Sequence, residues 1–306
     1  MKVLIATDKP FAKIAVNGIR QEVEAAGFEL ALLEKYTEKQ QLLDSVVDAD
    51  AIIIRSDIID AEVIAAAKQL KIVVRAGAGY DNVDLNAATA AGVCVMNTPG
   101  QNANAVAELV FGLLVFAVRN FYNGTSGTEL MGKKLGIHAY GNVGRNVARI
   151  AKGFGMELYA YDAYCPESAM KNDGVNPLKS VEELYSTCDI VSVHIPATAE
   201  TKKSINAALL GLMPKGAVLV NTARKEVIHE DEMVEFMTSR PDFKYVTDIV
   251  PGNDEEMKQK FANNYFTTPK KMGAQTSEAN INAGIAAAKQ IADFLNNGID
   301  TFRVNK

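Results

Sequence analysis

Residues 134–162, KLGIHAYGNVGRNVARIAKGFGMELYAYD, are the stretch that decides the fold of this chain. An apolar run, a glycine turn, a run with helical periodicity and a second apolar run predict a strand, a tight turn, a helix and a second strand. Gly141 and Gly144 have the spacing of the last two glycines of a dinucleotide-binding fingerprint, and Ala139 stands in the place of the first. Asp162 ends the second strand, 18 residues after Gly144. The stretch therefore predicts a βαβ unit that binds a dinucleotide.

The glycine turn and Asp162 also indicate which dinucleotide is bound. The first turn of a helix favours a bound anion, so the turn suits a pyrophosphate. A carboxylate at the end of the second strand accepts hydrogen bonds from ribose hydroxyls and repels a ribose phosphate, and the next three residues supply no cation. NAD is therefore expected rather than NADP, with pyrophosphate contacts from the backbone of Ala139, Gly141, Asn142, Val143 and Gly144.

Strand-like and helix-like segments alternate along the rest of the chain. The strand-like segments are continuous apolar runs, which are typical of strands buried on both faces of a parallel sheet. A first series comprises KVLIATD, ELALLE, AIIIRS, KIVVRAG and VCVMNT, and a second comprises KLGIHAY, ELYAYD, DIVSVHIP, AVLVNTA, KYVTDI and YFTTP. A long apolar helix, predicted over 103–121, and a glycine- and threonine-rich loop, 123–134, separate the two series, and this loop is predicted to connect two domains. The expected fold class is α/β, with two doubly wound parallel-sheet domains.

Length and composition narrow the class of protein. The 306 residues suffice for two domains, and 48% hydrophobic with 23% charged residues is the balance of an ordinary globular protein. The net charge of −5 offers no broad cationic surface to nucleic acid or to an anionic membrane. Three scattered cysteines without a CxxC pair argue against a disulfide framework and a metal site, and they suit a reducing, cytoplasmic compartment. The apolar run at the amino terminus is too short for a signal peptide, and the most apolar window, Val106 to Val118, is too short to span a bilayer.

Several motifs resemble those of the D-isomer-specific 2-hydroxyacid dehydrogenases. They are RAGAGYDN (75–82), NTPGQNANAVAE (97–108), the dinucleotide fingerprint and NTAR (221–224), and the similarity extends over nearly the whole chain. The resemblance implies a Rossmann NAD-binding domain, residues 99–283, inserted into a flavodoxin-like substrate domain made of residues 1–98 and 284–306. It also implies a core-only form, without the regulatory domain that some members carry, and a homodimer formed through the helix at 103–121.

The resemblance further implies where the cofactor and the reacting groups lie. In this family an arginine in an N-x-A-R segment binds the substrate carboxylate, which assigns that role to Arg224. Other cofactor contacts are expected from His194, Thr222, Ala223 and Asp248. The family's general base is a histidine directly after a Thr-Pro pair, and the partner of this histidine is a glutamate. Here the Thr-Pro segment reads TTPKKMGAQTSEA, and Asn253 occupies the position of the glutamate.

Two interpretations of these departures compete. Loss of the histidine could mean a non-catalytic NAD(H)-binding co-regulator, or a lysine could be the base. A lysine accepts a proton once its pKa is lowered, which a neighbouring arginine and the positive nicotinamide ring promote and a glutamate partner would oppose. Because both departures suit a lysine base, this mechanism is preferred. Counting from the Thr-Pro pair gives Lys270, the preferred position, and counting back from GAQTSEA gives Lys271, while Asp254 or Glu255 is left open as a replacement for the glutamate.

The substrate is predicted from strand ends of the first series. Arg55 and Arg75 end two of these strands and could supply the cations that a phosphate requires. Nearby, Gly77, Ala78 and Gly79 would let backbone amides approach a carboxylate. The resemblance is strongest to members that oxidise D-3-phosphoglycerate to 3-phosphohydroxypyruvate, the first step of serine biosynthesis, so NAD-dependent oxidation of this small phosphorylated 2-hydroxy acid is expected. A glyoxylate or hydroxypyruvate reductase, or another D-2-hydroxyacid dehydrogenase, is the alternative, and the physiological direction and the use of 2-oxoglutarate are left open.

Overall fold

A computed structural model describes residues 1–305 and divides them into two compact units. Unit 1 contains Met1–Asn102 and the segment from Thr276 onward, and unit 2 contains Ala103–Gln275. Lys306, the last residue of the expected substrate domain, lies outside the described residues. The loop at 123–134 was predicted to connect two domains, and this prediction is wrong, because the loop lies inside unit 2. The loop, with its glycines and threonines, connects a helix of unit 2 to a strand of the sheet in the same unit.

Unit 1 is built on a parallel five-stranded sheet. Its strands are β1 (Lys2–Thr7), β2 (Glu29–Glu34), β3 (Ala51–Ile54), β4 (Ile72–Arg75) and β5 (Cys94–Asn97), and they lie in the order β2-β1-β3-β4-β5. Its helices are α1 (Lys13–Ala25), α2 (Lys39–Ser45), α3 (Ala61–Ala66), α4 (Leu85–Ala90) and, counting helices in chain order, α12 (Ser277–Asn297). This strand order is that of the flavodoxin-like fold.

The two faces of the unit 1 sheet bury different helices, as the alternation of side chains along a strand requires. Val3 and Ile5 of β1 pack with Ile19 of α1 and Ile291 of α12 on one face. On the other face Leu4 packs with residues of α2, α3 and α4. Burial on both faces explains why these strands are continuous apolar runs in the sequence.

Unit 2 is built on a parallel seven-stranded sheet. Its strands are β6 (Lys134–His138), β7 (Glu157–Tyr161), β8 (Asn176–Pro177), β9 (Ile190–Val193), β10 (Val218–Asn221), β11 (Lys244–Thr247) and β12 (Tyr265–Thr267). They lie in the order β12-β11-β10-β9-β6-β7-β8, which reverses direction between β6 and β9 as in a doubly wound dinucleotide-binding fold. The flanking helices are α5 (Ala103–Val118), α6 (Asn142–Gly153), α7 (Glu167–Asn172), α8 (Val181–Thr187), α9 (Ala207–Leu210), α10 (Glu230–Ser239) and α11 (Asp254–Lys260). The predicted class, α/β with two doubly wound parallel sheets, is confirmed.

The apolar helix α5 ends at Val118, three residues before the predicted end. It stops there because Asn120, Phe121 and Tyr122 adopt positive φ angles of 50°, 53° and 56°, which a right-handed helix cannot contain. Most of the apolar side chains of α5 are buried in the core of unit 2, where they pack with α6 and with strands of the sheet. No helix within residues 1–305 is long and apolar enough to cross a membrane.

Candidate active site

The predicted cofactor and catalytic residues of unit 2 follow the carboxyl ends of its strands. Gly141 follows β6, His194 follows β9, Arg224 follows β10, Asp248 follows β11 and Lys271 follows β12. In a doubly wound sheet a ligand binds beyond these ends, close to the point where the strand order reverses. Here that point lies between β6 and β9, beside the glycine turn.

The glycine turn after β6 provides the close approach that a pyrophosphate needs. A Cβ at Gly144 would collide with the carbonyl oxygen of Ala139, so glycine is required there for the helix to pack on the strand. A Cβ at Gly141 would meet no atom within 4 Å, because this residue faces open space at the start of α6. The unpaired N–H groups and the positive end of a 12-residue helix therefore face that space. Ala139, in the place of the first glycine, has a φ of 81° and is strained.

The carboxylate of Asp162, which follows β7, holds both the turn after β6 and the loop after β7. Its Oδ2 accepts the Tyr140 N–H at 2.7 Å, and its Oδ1 accepts the N–H groups of Tyr164 at 2.7 Å and Cys165 at 2.8 Å. An ionised carboxylate has about four acceptor positions, so one is left for a ribose hydroxyl. The three residues after Asp162 include no cation, but the fold brings Arg145 Nη2 to 3.4 Å from Cys165 Sγ. This guanidinium also pairs with Asp173 at 3.2 Å, which offsets its charge.

His138 and His194, the two histidines beside the glycine turn, are neutral at physiological pH. Burial lowers the pKa of His138 to about 4 and that of His194 to about 3. His194 lies within hydrogen-bond distance of a hydroxyl, with 2.8 Å between its Nε2 and Ser192 Oγ. The third histidine, His229, directly precedes α10, with Nε2 3.4 Å from Glu232. His138 and His194 can therefore contribute shape and hydrogen bonds at neutral pH but no positive charge.

Two buried oxygen atoms after β10 and β11 have no hydrogen-bond partner among residues 1–305. They are Thr222 Oγ1 and Asp248 Oδ1. The other oxygen of Asp248 accepts the N–H groups of Met272 at 3.1 Å and Gly273 at 2.6 Å. Burial raises the pKa of this fully buried carboxyl group. An unpaired buried acceptor suits a ligand that donates a hydrogen bond, such as the carboxamide of nicotinamide, so the site residues fit NAD.

Arg224 and Lys271 meet at one carbonyl group. Arg224 Nη1 donates to the Ala223 carbonyl oxygen at 2.9 Å, and Lys271 Nζ lies 3.4 Å from the same oxygen. The side chain of Asn221 shapes this turn, because it accepts the Ala223 N–H at 2.9 Å and donates to the Arg224 carbonyl oxygen at 2.9 Å. The structure therefore brings Lys271 to the predicted catalytic arginine.

Lys270, the position preferred from the sequence, has a different environment. Its side chain is exposed and makes no hydrogen bond or ion pair within the described part of the chain. Its carbonyl oxygen accepts a hydrogen bond from Thr268 Oγ1 at 2.7 Å. Of the two lysines, only Lys271 therefore contacts the carbonyl group to which Arg224 donates.

The acidic segment after β11 is held by helices α10 and α11. Asn253 donates to the Glu230 carbonyl oxygen at 3.2 Å. Asp254 accepts the Tyr265 hydroxyl at 2.9 Å and pairs with Lys258 at 2.7 Å, so each of its oxygens already has a partner. Glu255 is exposed. Asp254 is therefore committed to its own helix and strand.

In unit 1 the predicted substrate residues surround the ends of β3 and β4. Arg55 is half-buried, stacks over Phe11 at 5.2 Å, and donates to the Lys9 carbonyl oxygen at 2.9 Å and to Asn280 Oδ1 at 2.7 Å. Burial lowers its pKa. Part of its hydrogen-bonding capacity is thus used within the unit.

Arg75 lies directly over the turn that follows β4. Its Nε donates to the Arg55 carbonyl oxygen at 3.0 Å, and a Cβ at Gly77 would collide with its guanidinium. With a φ of 150°, Gly77 also requires glycine for backbone reasons. Ala78 is exposed, and its carbonyl oxygen accepts from Asn97 Nδ2 at 2.6 Å, while Gly79 is partly exposed.

Three polar residues that the sequence motifs did not single out position the candidate catalytic segments. Asn221 is fully buried, and Thr247 Oγ1 donates to its carbonyl oxygen at 2.7 Å. Thr268 Oγ1 lies 3.2 Å from the Asp248 carbonyl oxygen and also donates to the carbonyl oxygen of Lys270. Their signal is a polar residue that closes an apolar strand, as in VLVN, KYVT and YFTT.

Comparison with known proteins identifies relatives along the whole chain. Residues 116–270 match the family model described as the NAD binding domain of D-isomer specific 2-hydroxyacid dehydrogenases. A crystal structure of 3-phosphoglycerate dehydrogenase from Entamoeba histolytica with bound NAD+ is 45% identical, with a TM-score of 0.89, and the match covers 100% of this chain and 99% of that one.

Curated relatives carry two different names. Hydroxypyruvate reductase of Thermotoga maritima is 34% identical over 281 residues, which is 86% of this chain and 90% of the relative. D-3-phosphoglycerate dehydrogenase of Methanocaldococcus jannaschii is 34% identical over 274 residues, or 84% of this chain. The match spans about half, 52%, of that longer relative.

The strain at Ala139 gives a stability prediction. Ala139→Gly relieves a left-handed conformation and is expected to raise the free energy of unfolding by about 1 kcal/mol, measured by urea denaturation. The matched control is Ala169→Gly in α7, where glycine in a right-handed helix should cost about 1 kcal/mol. A loss of stability in Ala139→Gly similar to that of the control would contradict the strained turn.

The Asp162 carboxylate gives a cofactor prediction. Asp162→Ala should raise the Kd for NADH about tenfold or more and reduce the preference for NADH over NADPH, because the ribose acceptor and the repelling charge are lost together. Asp162→Asn is the matched variant, since it keeps one acceptor oxygen and loses only the charge. Both Kd values are measured by fluorescence titration. A wild-type protein that binds NADPH more tightly than NADH would overturn this role of Asp162.

Proposed function

Because the chain belongs to the D-isomer specific 2-hydroxyacid dehydrogenase family, which is a family of NAD-dependent oxidoreductases, we propose that it oxidises D-3-phosphoglycerate to 3-phosphohydroxypyruvate. This reaction moves a hydride from the carbon that bears the hydroxyl group to the nicotinamide ring, and it moves the hydroxyl proton to a base. In this proposal unit 2 is the NAD-binding domain and unit 1 is the substrate-binding domain. The name of the relative that is 45% identical supports this choice of substrate.

The observation that carries the proposal is the meeting of Arg224 and Lys271 at the Ala223 carbonyl group. The guanidinium of Arg224 is a permanent cation with donors for the substrate carboxylate and for the carbonyl oxygen that develops during oxidation. Lys271, as a neutral amine, accepts the proton of the substrate hydroxyl. A cation and a proton acceptor side by side are what this oxidation requires.

We assign the base to Lys271 rather than to Lys270. Asp248 Oδ2 holds the N–H groups of Met272 and Gly273, and Thr268 Oγ1 holds the carbonyl oxygen of Lys270. The backbone on both sides of Lys271 is therefore fixed, which supports a positioned side chain.

The same segment holds the cofactor in this proposal. NAD, when bound, supplies the hydride acceptor. The start of α6 at Gly141 binds the pyrophosphate, Asp162 accepts the ribose hydroxyls, and Asp248 Oδ1 accepts from the carboxamide, with Thr222 Oγ1 as a further partner. His194 and Ala223 complete the expected contacts as neutral groups after β9 and β10.

The phosphate of the substrate is assigned to unit 1. Arg55 and Arg75 supply charge, and the turn at 77–79 supplies backbone amides. A second candidate, reduction of hydroxypyruvate, is favoured by one observation, namely that Arg55 already donates to Lys9 and Asn280. The Thermotoga maritima relative is named for that activity.

We also propose that the protein forms a homodimer and that it resides in a reducing compartment. Val115 and Phe116 of α5 are partly exposed beside its buried residues, which supports an interface along this helix. All three cysteines are unpaired, which supports the cytoplasm as the compartment.

The lysine base gives a kinetic prediction. Lys271→Ala should lower kcat for oxidation about a hundredfold or more, since a positioned acid–base group is worth that much. The Kd for NADH should change little, and Lys270→Ala, the matched control, should retain most of the activity. The wild-type rate of oxidation should rise toward alkaline pH, because only the neutral amine accepts a proton. If Lys271→Ala keeps more than a tenth of wild-type kcat, Lys271 is not the base.

The substrate is tested with matched 2-oxo acids. NADH oxidation is measured with 3-phosphohydroxypyruvate, hydroxypyruvate and glyoxylate, and kcat/KM should be about tenfold or more higher for the phosphorylated acid, because charged hydrogen bonds to the phosphate are then made. Equal or higher kcat/KM with hydroxypyruvate would replace the proposal by the second candidate. Tight NADH binding without turnover of any acid would instead indicate a non-catalytic co-regulator.

A further inference from the structure

A cavity of about 320 Å³ lies at the edge of the unit 2 sheet opposite to the candidate active site. Its lining includes the first residues of β9, β10 and β11, namely Ile190, Val218 and Lys244, and Lys133, which directly precedes β6. The four residues of β11 span roughly 13 Å between this edge and Asp248. The cavity is therefore separate from the proposed cofactor and substrate sites.

Three lysines from separate parts of the chain line this cavity. They are Lys133, Lys215 and Lys244. The half-buried ammonium of Lys244 donates only to neutral oxygens, the Ala117 carbonyl at 2.8 Å and Asn120 Oδ1 at 2.6 Å. The side-chain ammonium groups of Lys133 and Lys215 have no hydrogen-bond or ion-pair partner within residues 1–305. Capping of α5 explains the position of Lys244, but it does not explain why two further lysines line the same cavity.

The carboxylates of the cavity already have partners. Asp242 pairs with Arg240 at 2.9 Å and accepts the Gly216 N–H at 2.6 Å. Asp189 accepts the Lys134 N–H at 2.9 Å. With three lysines against two aspartates, the lining has an excess of positive charge, in a chain whose net charge is −5.

A strained loop forms one wall of the cavity. Asn120, Phe121 and Tyr122 all have positive φ angles, and such strain persists mainly where the surrounding structure requires it, often at ligand sites. The Asn120 side chain holds the loop by donating to the Ser126 carbonyl oxygen at 3.0 Å, while its Oδ1 accepts from Lys244. In the described chain, the N–H groups of Ser126 and Gly127 donate no hydrogen bond.

We propose that this cavity binds a phosphate group, either inorganic phosphate or the phosphate of a small phosphomonoester. Lysine ammonium groups, the hydroxyls of Ser126 and Thr128, and free backbone N–H groups are the donors that proteins use for tetrahedral oxyanions. Because these donors come from two loops and the start of β11, the fold has already assembled the site. Occupancy would add a ligand contact to the segment that joins α5 to β6.

The test is isothermal titration calorimetry on the whole 306-residue chain after saturation with NADH. Inorganic phosphate and glycerol 3-phosphate are titrated in separate experiments. Saturable binding of at least one of them is expected, and the stronger of the two identifies the source of the phosphate group. Lys215→Gln should raise the Kd about tenfold, since it removes a charged donor. Lys133→Gln should act in the same direction, and both residues lie outside the catalytic and cofactor machinery.

The matched control is Lys152→Gln, which removes a lysine that lines a different cavity on helix α6. This variant should bind phosphate as the wild type does. The absence of saturable binding to the wild type, unchanged affinity in both Lys133→Gln and Lys215→Gln, or loss of binding in Lys152→Gln would each overturn the proposal. Circular dichroism and the Tm without phosphate confirm that the variants are folded.

Discussion

All seven strands of the unit 2 sheet run parallel, so their carboxyl ends lie along one edge, and the placement of every proposed reacting group depends on this constraint. A parallel sheet needs helices on both faces, and each crossover returns the chain to the same starting edge. The loops that carry Gly141, Arg224 and Lys271 therefore lie along the same edge of the sheet although they are far apart in sequence. The loops that precede the strands lie along the opposite edge, and they include the loops that carry Lys133 and Lys215.

The buried carboxylate of Asp248 connects the two proposed functions of the carboxyl edge. Burying this group is unfavourable, which is why its pKa is raised, and two backbone N–H groups of the segment after β12 offset part of the cost. One oxygen thereby fixes the backbone next to Lys271, while the other is free for a donor on the cofactor. In the proposed mechanism, cofactor contact and base position are thus coupled through one side chain.

The two buried histidines of the core are poor candidates for the base, because a group whose pKa is lowered this far is a weak proton acceptor. His138 and His194 are neutral because burial disfavours their charged forms. Lys271 lies on the exposed segment after β12, beside the permanent charge of Arg224. The nearby acidic segment is held elsewhere, since Asp254 pairs with Lys258 and Tyr265.

The sequence by itself determined the elements and the dinucleotide turn, because both follow from local patterns. Continuous apolar runs gave the parallel strands, and the spacing of Gly141, Gly144 and Asp162 predicted the turn and its acidic partner. It could not determine that α5 stops at Val118, because the left-handed residues that follow are stabilised by contacts with Lys244, which is more than a hundred residues away. Nor could it choose between Lys270 and Lys271, since counting motifs ignores which side chain points to Arg224. Only the tertiary structure shows which of the two lies at the Ala223 carbonyl group, because hydrogen bonds donated to Asp248 and by Thr268 fix the backbone on both sides of Lys271.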